Sequence, residues 1–170
     1  MLWIKLLKKL ITLINSDVSP NQIAGGVALG SIIGFTPFNC LHNLAVLFLI
    51  FLLNVNMAAA FFSVALFSLF ALFTDPIANK IGYALLSNNA SLTPLWTQLY
   101  NMPVVPLTRF NNTVVMGSLV ISVAAFIPVF FFSAWFIKYY RATLRDKVKN
   151  SKIFKILHLS KVYEIYDKYK

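Results

Sequence analysis

Residues 19–38 read SPNQIAGGVALGSIIGFTPF and hold four of the chain's six glycines, Gly25, Gly26, Gly30 and Gly34, in an apolar run that ends on Thr36-Pro37. Ser19 as N-cap, Pro20 at the first helical position and Gln22 three residues after the cap form a helix start. Pro37 disfavours helical geometry at Thr36. The spacing therefore predicts a helix over 20–35, about 16 residues and about 24 Å long. That is shorter than the ~30 Å hydrocarbon core of a bilayer. Gly26, Gly30 and Gly34 recur every four residues and so form one smooth stripe, where another backbone can approach closely without a hydrophobic driving force. The stripe is a helix-docking seam, within the chain or against a partner.

Working outward, a second apolar run, 41–53, is also short. The polar break between the two runs contains Thr36, Pro37, Asn39, His42 and Asn43. Two short apolar helices joined by polar residues form either a re-entrant hairpin, where irregular backbone survives if buried in protein or facing water, or a pair of tilted spans in a thinned bilayer. The hairpin is the preferred reading. Residues 57–73 are long enough for a full span, and Thr74-Asp75-Pro76 reads as its end, with Asp75 as N-cap and Pro76 at N1 of the next helix. Asp75 has a second reading, as an intramembrane ionisable residue with a function. Residues 77–112 are punctuated by Pro94, Pro103 and Pro106. They read as an interfacial region with short helices near 77–87 and 94–101, and Tyr83, Trp96 and Tyr100 at a headgroup boundary. A last span, capped at Asn112 or Thr113, carries Pro128 as a kink.

The composition agrees. Of 170 residues, 59% are hydrophobic and 12% charged, against roughly 25% charged in soluble domains. Across residues 18–137 the charged side chains are Asp75, Lys80 and Arg109 alone, and ten of the fifteen basic residues lie from Lys138 onward. The net charge of +10 flanks apolar segments and accompanies no nucleic-acid-binding motif, so it reads as cytoplasmic flanks facing anionic lipid. Residues 2–15 place Lys5, Lys8 and Lys9 on one face of an in-plane amphipathic helix with Trp3 at headgroup level. The same lysines interrupt the apolar run and argue against a signal peptide. The positive-inside rule puts both termini in the cytoplasm and residues 77–112 outside. The expected organisation is an all-α integral membrane protein: an amphipathic segment over 1–17, one polytopic domain over 18–140 and a basic tail over 141–170.

Chemistry is sparse. No protease, hydrolase or phosphate-loop motif occurs. Cys40 is the lone cysteine, and with His42 it makes no metal site, because no further ligand lies nearby in sequence. Asp75 is the one carboxylate between the flanks, too little for general acid–base catalysis. No enzyme activity, cofactor or metal is expected. Arg109 precedes Asn111, Asn112 and Thr113 at the start of the last span, and a cation beside free amide donors can hold a phosphate. Lys80 is the second cation, and the plain alternative for Arg109 is an interfacial anchor. Laying residues 21–38 on 112–129 matches Asn21 with Asn112, Gly26 with Gly117, Ser31 with Ser122, Phe35 with Phe126 and Pro37 with Pro128, a faint internal repeat.

The arrangement Pro20, Ile23-Ala24, Ala28-Leu29-Gly30, Ile33-Gly34-Phe35-Thr36-Pro37, Asn56, Asp75-Pro76 and Gly82 resembles the bacterial membrane family called domain of unknown function 2062. It resembles in particular the branch with Leu41-His42, Asp75-Pro76 and Phe110-Asn111-Asn112-Thr113. The wider family has Asn-Pro where this chain has Asp75-Pro76. The resemblance implies proteins encoded beside long periplasmic proteins of the AsmA/TamB kind, which carry phospholipid between membranes. The expectation is an inner-membrane subunit that passes phospholipid to such a partner, with Arg109, Lys80, Asn111, Asn112 and Thr113 contacting headgroup phosphate. The alternatives are a homo-oligomeric channel or solute transporter, and a structural anchor with no lipid of its own.

Overall fold

A computed structural model describes residues 18–144. The amphipathic segment over 1–17 and the tail beyond 144 lie outside the described residues. Helix α1 is Pro20–Phe35, α2 Leu41–Leu52, α3 Met57–Leu86, α4 Thr93–Tyr100 and α5 Thr113–Tyr139, with 3-10 turns at Ala90–Leu92 and Val105–Thr108. No strand occurs among the described residues. The chain divides into one unit over 18–134 and another that includes 135–144. In the latter, the Trp135 and Tyr139 rings stack at 5.7 Å, and the helix widens to π geometry over Tyr140–Leu144.

Helix α1 starts and stops where its caps dictate. The Ser19 amide donates to Gln22 Oε1 at 3.2 Å, and Thr36 is extended at the C-cap. Its glycines face α3. A Cβ on Gly26 would strike Asn56 O and one on Gly30 would strike Ala60 O, while one on Gly34 would lie 2.7 Å from Phe67 Cβ. Contact positions rise together along both helices, so α1 and α3 run parallel. The seam is also bonded: Ser63 Oγ of α3 donates to Val27 O of α1 at 2.6 Å.

Parallel packing dictates the path of α2. The Asn56 amide donates to Gln22 O at 2.9 Å, which fixes the start of α3 beside the start of α1. Helix α2 must therefore run back along α1. Leu29, Ile33, Ile50 and Ala60 form the buried core of this three-helix arrangement, and Val46, Leu47, Val55, Val64 and Phe126 pack against it.

The structure corrects the reading of Asp75. Helix α3 continues without interruption through Thr74, Asp75 and Pro76 to Leu86, so Asp75 caps nothing and the proposed helix at 77–87 is the second half of α3. Proline removes one intrahelical bond and strains the preceding turn. Ending the helix would instead leave about four carbonyls without partners, at greater cost where water is scarce. Two residues beyond Pro76 secure the continuation. A Cβ on Gly82 would strike Thr113 O, and one on Gly117 would strike Ala78 O. The pairs 78/117 and 82/113 run in opposite directions, so α5 packs antiparallel on the second half of α3.

The segments aligned as a repeat share an environment in two respects. Gly26 and Gly117 each meet the backbone of α3. Ser31 and Ser122 are each fully buried and donate to the carbonyl three residues back, at 2.7 and 2.9 Å. They differ at the prolines: Pro37 lies beyond the end of α1, whereas Pro128 lies within α5.

Candidate functional site

The polar residues expected to matter gather where the α1–α2 turn meets the segment before α5. Thr36 and Asn43, each 5% exposed, tie the turn. The Thr36 hydroxyl lies 2.9 Å from Ile32 O and 2.7 Å from Asn43 Oδ1, and Asn43 Nδ2 donates to Pro37 O at 2.8 Å. Buried polar groups persist only when paired; here the Thr36 hydroxyl donates to Asn43 Oδ1, and Asn43 in turn satisfies the Pro37 carbonyl just beyond the end of α1. Asn43 is therefore the central turn residue, together with Thr36 and Pro37. Asn39, given that role from sequence, is exposed. The signal available in the sequence was the pairing of a threonine and an asparagine seven apart around Pro37.

His42 does not help close the turn. Both ring nitrogens are shielded from solvent, and the ring faces the Thr108 backbone without reaching ordinary hydrogen-bond geometry. Arg109 lies near enough for its charge to act on the Cys40 thiol. The turn is thus met by Thr108 and Arg109 of the segment between α4 and α5. Among the described residues no group of three metal-ligating side chains occurs.

That segment is pinned by aromatic burial. Trp96 Nε1 donates to Leu85 O at 3.0 Å, and the Trp96 ring lies 6.0 Å from that of Phe110, which is 7% exposed. Phe110 wedges inward while its neighbours Arg109 and Asn111 stay exposed. Arg109 has φ 56° and ψ 29°. It is the non-glycine residue with positive φ among those described, a conformation that costs roughly 1–2 kcal/mol for residues with a Cβ. The Arg109 amide donates to Pro106 O at 2.9 Å, and Arg109 O accepts from the Asn112 amide at 3.0 Å. This turn delivers the chain into α5.

Asn112 caps α5 as expected. Its Oδ1 accepts from the amides of Val114 at 2.9 Å and Val115 at 3.1 Å. Asn112→Ala is expected to lower thermal stability by about 1 kcal/mol, measured as a drop in melting temperature in detergent, with Asn112→Asp close to wild type.

Thr113 is spent differently from the sequence expectation. Its hydroxyl bonds Asn79 Oδ1 of α3, so it is committed to joining α3 and α5 and is not a free phosphate donor. Asn79 was missed; a polar residue one turn after Asp75 in an apolar helix was the available sign. Lys80 follows Asn79 and is exposed. The groups left to face a ligand are Arg109, Asn111, the side-chain Nδ2 of Asn112 and, from α3, Lys80.

The surroundings define the class of protein. Helix α3 and the helix beginning at Thr113 are long and apolar enough to cross a membrane. Their apolar side chains point outward, with Phe73 78% and Leu72 68% exposed, the reverse of a soluble core helix. The described residues form an all-helical arrangement with two candidate membrane-spanning helices, which points to a membrane location. Residues 5–145 match the family described as "Uncharacterized protein conserved in bacteria (DUF2062)", and the chain belongs to that family. An uncharacterized protein of Treponema pallidum (strain Nichols) is 26% identical over 152 residues, which cover 89% of this chain and 93% of the relative. No solved structure matches the chain.

Proposed function

We propose that the protein is a non-enzymatic subunit of the bacterial inner membrane that holds phospholipid at the outer end of its helices and passes it to a large periplasm-spanning partner of the AsmA/TamB kind. The observation that carries this reading is Arg109, an exposed cation in a left-handed backbone, immediately above the α1–α2 turn. Glycine would fit that backbone without strain. An arginine there accepts a conformational cost and gains a fixed, forked donor suited to phosphate.

In this arrangement both termini are cytoplasmic. Helices α1 and α2 enter and return on the cytoplasmic side as a re-entrant hairpin, α3 and α5 cross, and residues 87–112 lie in the periplasm. Helix α3, with 30 residues, is about 45 Å long, enough to cross a ~30 Å core and carry Lys80 beyond it. The apolar faces of α2 and α3, including Phe48 and Phe51 as well as Phe73, then face lipid. The partner rests on the family association described above.

Arg109→Gly separates charge from backbone. It is expected to leave melting temperature unchanged or raised while phospholipid retention on the purified protein falls about tenfold, equivalent to ~1.4 kcal/mol. Arg109→Lys is expected to recover part of the loss. Retention and delivery untouched in an Arg109→Gly, Lys80→Ala double variant would remove the phosphate contact from the mechanism.

A further inference from the structure

The outward side of α3 carries an apolar stripe in which Leu69, Leu72 and Phe73 are all exposed, and hydrocarbon satisfies such a surface. Asp75, half-buried at the edge of that stripe, departs from it. Its carboxylate has no hydrogen bond or ion pair among the described residues. The polar groups on the adjoining turns are engaged elsewhere: the Thr74 hydroxyl donates to Ala71 O, and Asn79 Oδ1 accepts from Thr113. Pro76 lies within the helix and adds a second acceptor. Having no N–H, it leaves the Leu72 carbonyl without the donor a helix normally supplies, and that carbonyl points along the axis toward residues 75 and 76. Asp75 is about 27 Å along α3 from Met57, so a span that enters a ~30 Å core near Met57 still holds Asp75 inside it.

We infer that this position docks a spanning helix of the partner protein, and that a lysine or arginine of that helix pairs with the Asp75 carboxylate and donates to the Leu72 carbonyl.

Charge complementarity selects that occupant. A carboxylate beside a freed carbonyl accepts hydrogen bonds and offers none, so the group that fits is a multiple donor, and a cation gains most. A basic side chain on a helix laid along the stripe can pack its apolar stem on Leu69, Leu72 and Phe73 while its head reaches Asp75. Lys80 does not supply the charge. It lies about 7.5 Å further along α3 and is turned about 140° away from Asp75. A second copy at the same depth presents its own Asp75, a like charge. The ammonium of a zwitterionic lipid belongs to the headgroup layer and arrives with a phosphate that the carboxylate repels.

In naming a partner this inference rests on the function proposed above, but Asp75 and Arg109 are tested separately. The experiment places a photo-crosslinking amino acid at Phe73 of the tagged full chain, irradiates it in its own membrane and maps adducts by peptide mass spectrometry. The expected adduct joins position 73 to an apolar spanning segment of another protein, and that segment carries a lysine or arginine. Asp75→Leu is expected to lower the yield about tenfold, the effect of one charged interhelical contact. It is expected not to lower the melting temperature of the purified protein, because no partner within the described chain loses a bond. Asp75→Glu keeps the charge and is expected to keep most of the yield. Arg109→Gly is expected to leave the adduct unchanged even as phospholipid retention falls, so failure of the phosphate site and failure of the docking site give different results.

Adducts confined to lipid, to a second copy or to residues 1–17 or 145–170 of the chain would overturn the proposal. So would a captured segment without a basic residue, a yield indifferent to Asp75→Leu, or a melting temperature that Asp75→Leu lowers.

Discussion

Gly30→Val and Gly117→Val are each expected to abolish most of the folded protein. A Cβ at Gly30 would meet the Ala60 carbonyl oxygen and one at Gly117 the Ala78 carbonyl oxygen, and backbone inside a packed helix cannot swing aside as a side chain can. Overpacking costs about 1–3 kcal/mol where side chains absorb it, so the two valines should exceed that range. Gly25 provides the contrast: its Cβ would first meet Val55 Cγ1, at 2.9 Å, so Gly25→Ala should be mild. Thermal challenge followed by fluorescence-detected size exclusion measures the difference. Wild-type melting in both valine variants would contradict the docking of α1 and α5 on α3.

The second large effect concerns the α1–α2 turn. Thr36→Val leaves Asn43 Oδ1 without its hydroxyl partner, and Asn43→Leu also strands Pro37 O. Each single variant should lose about 1–3 kcal/mol, the cost of a buried polar group left unpaired. The double variant should lose clearly less than the sum, because the second change removes a group that the first had already stranded. Strict additivity would mean that the two side chains do not act as one unit.

Local signals were legible where a few neighbouring residues decide the geometry. Ser19-Pro20 with Gln22 at one end and Thr36-Pro37 at the other set α1 to the residue. The Gly26/Gly30/Gly34 stripe is a docking seam, and its partner lies within the chain. The same local logic misread Thr74-Asp75-Pro76, because a cap-and-proline signal is balanced against the cost of ending a helix and against docking at Ala78 and Gly82. That docking depends on Thr113 and Gly117, more than thirty residues away, and nothing near Pro76 announces it.

The candidate site was legible in type but not in arrangement. Arg109 and Asn112 were identifiable as a cation and a cap. The left-handed backbone of Arg109, the commitment of Thr113 to Asn79 and the closing role of Asn43 all arise from contacts between segments.

The first measurement to make is native mass spectrometry of the tagged protein, extracted gently from its own membrane, beside Arg109→Gly. Wild type is expected to carry phospholipid and a large periplasmic protein, and the variant to keep the partner while losing lipid in proportion to the outer site. A bare homo-oligomer without lipid or partner would contradict a role in phospholipid transfer and would point to a self-contained channel.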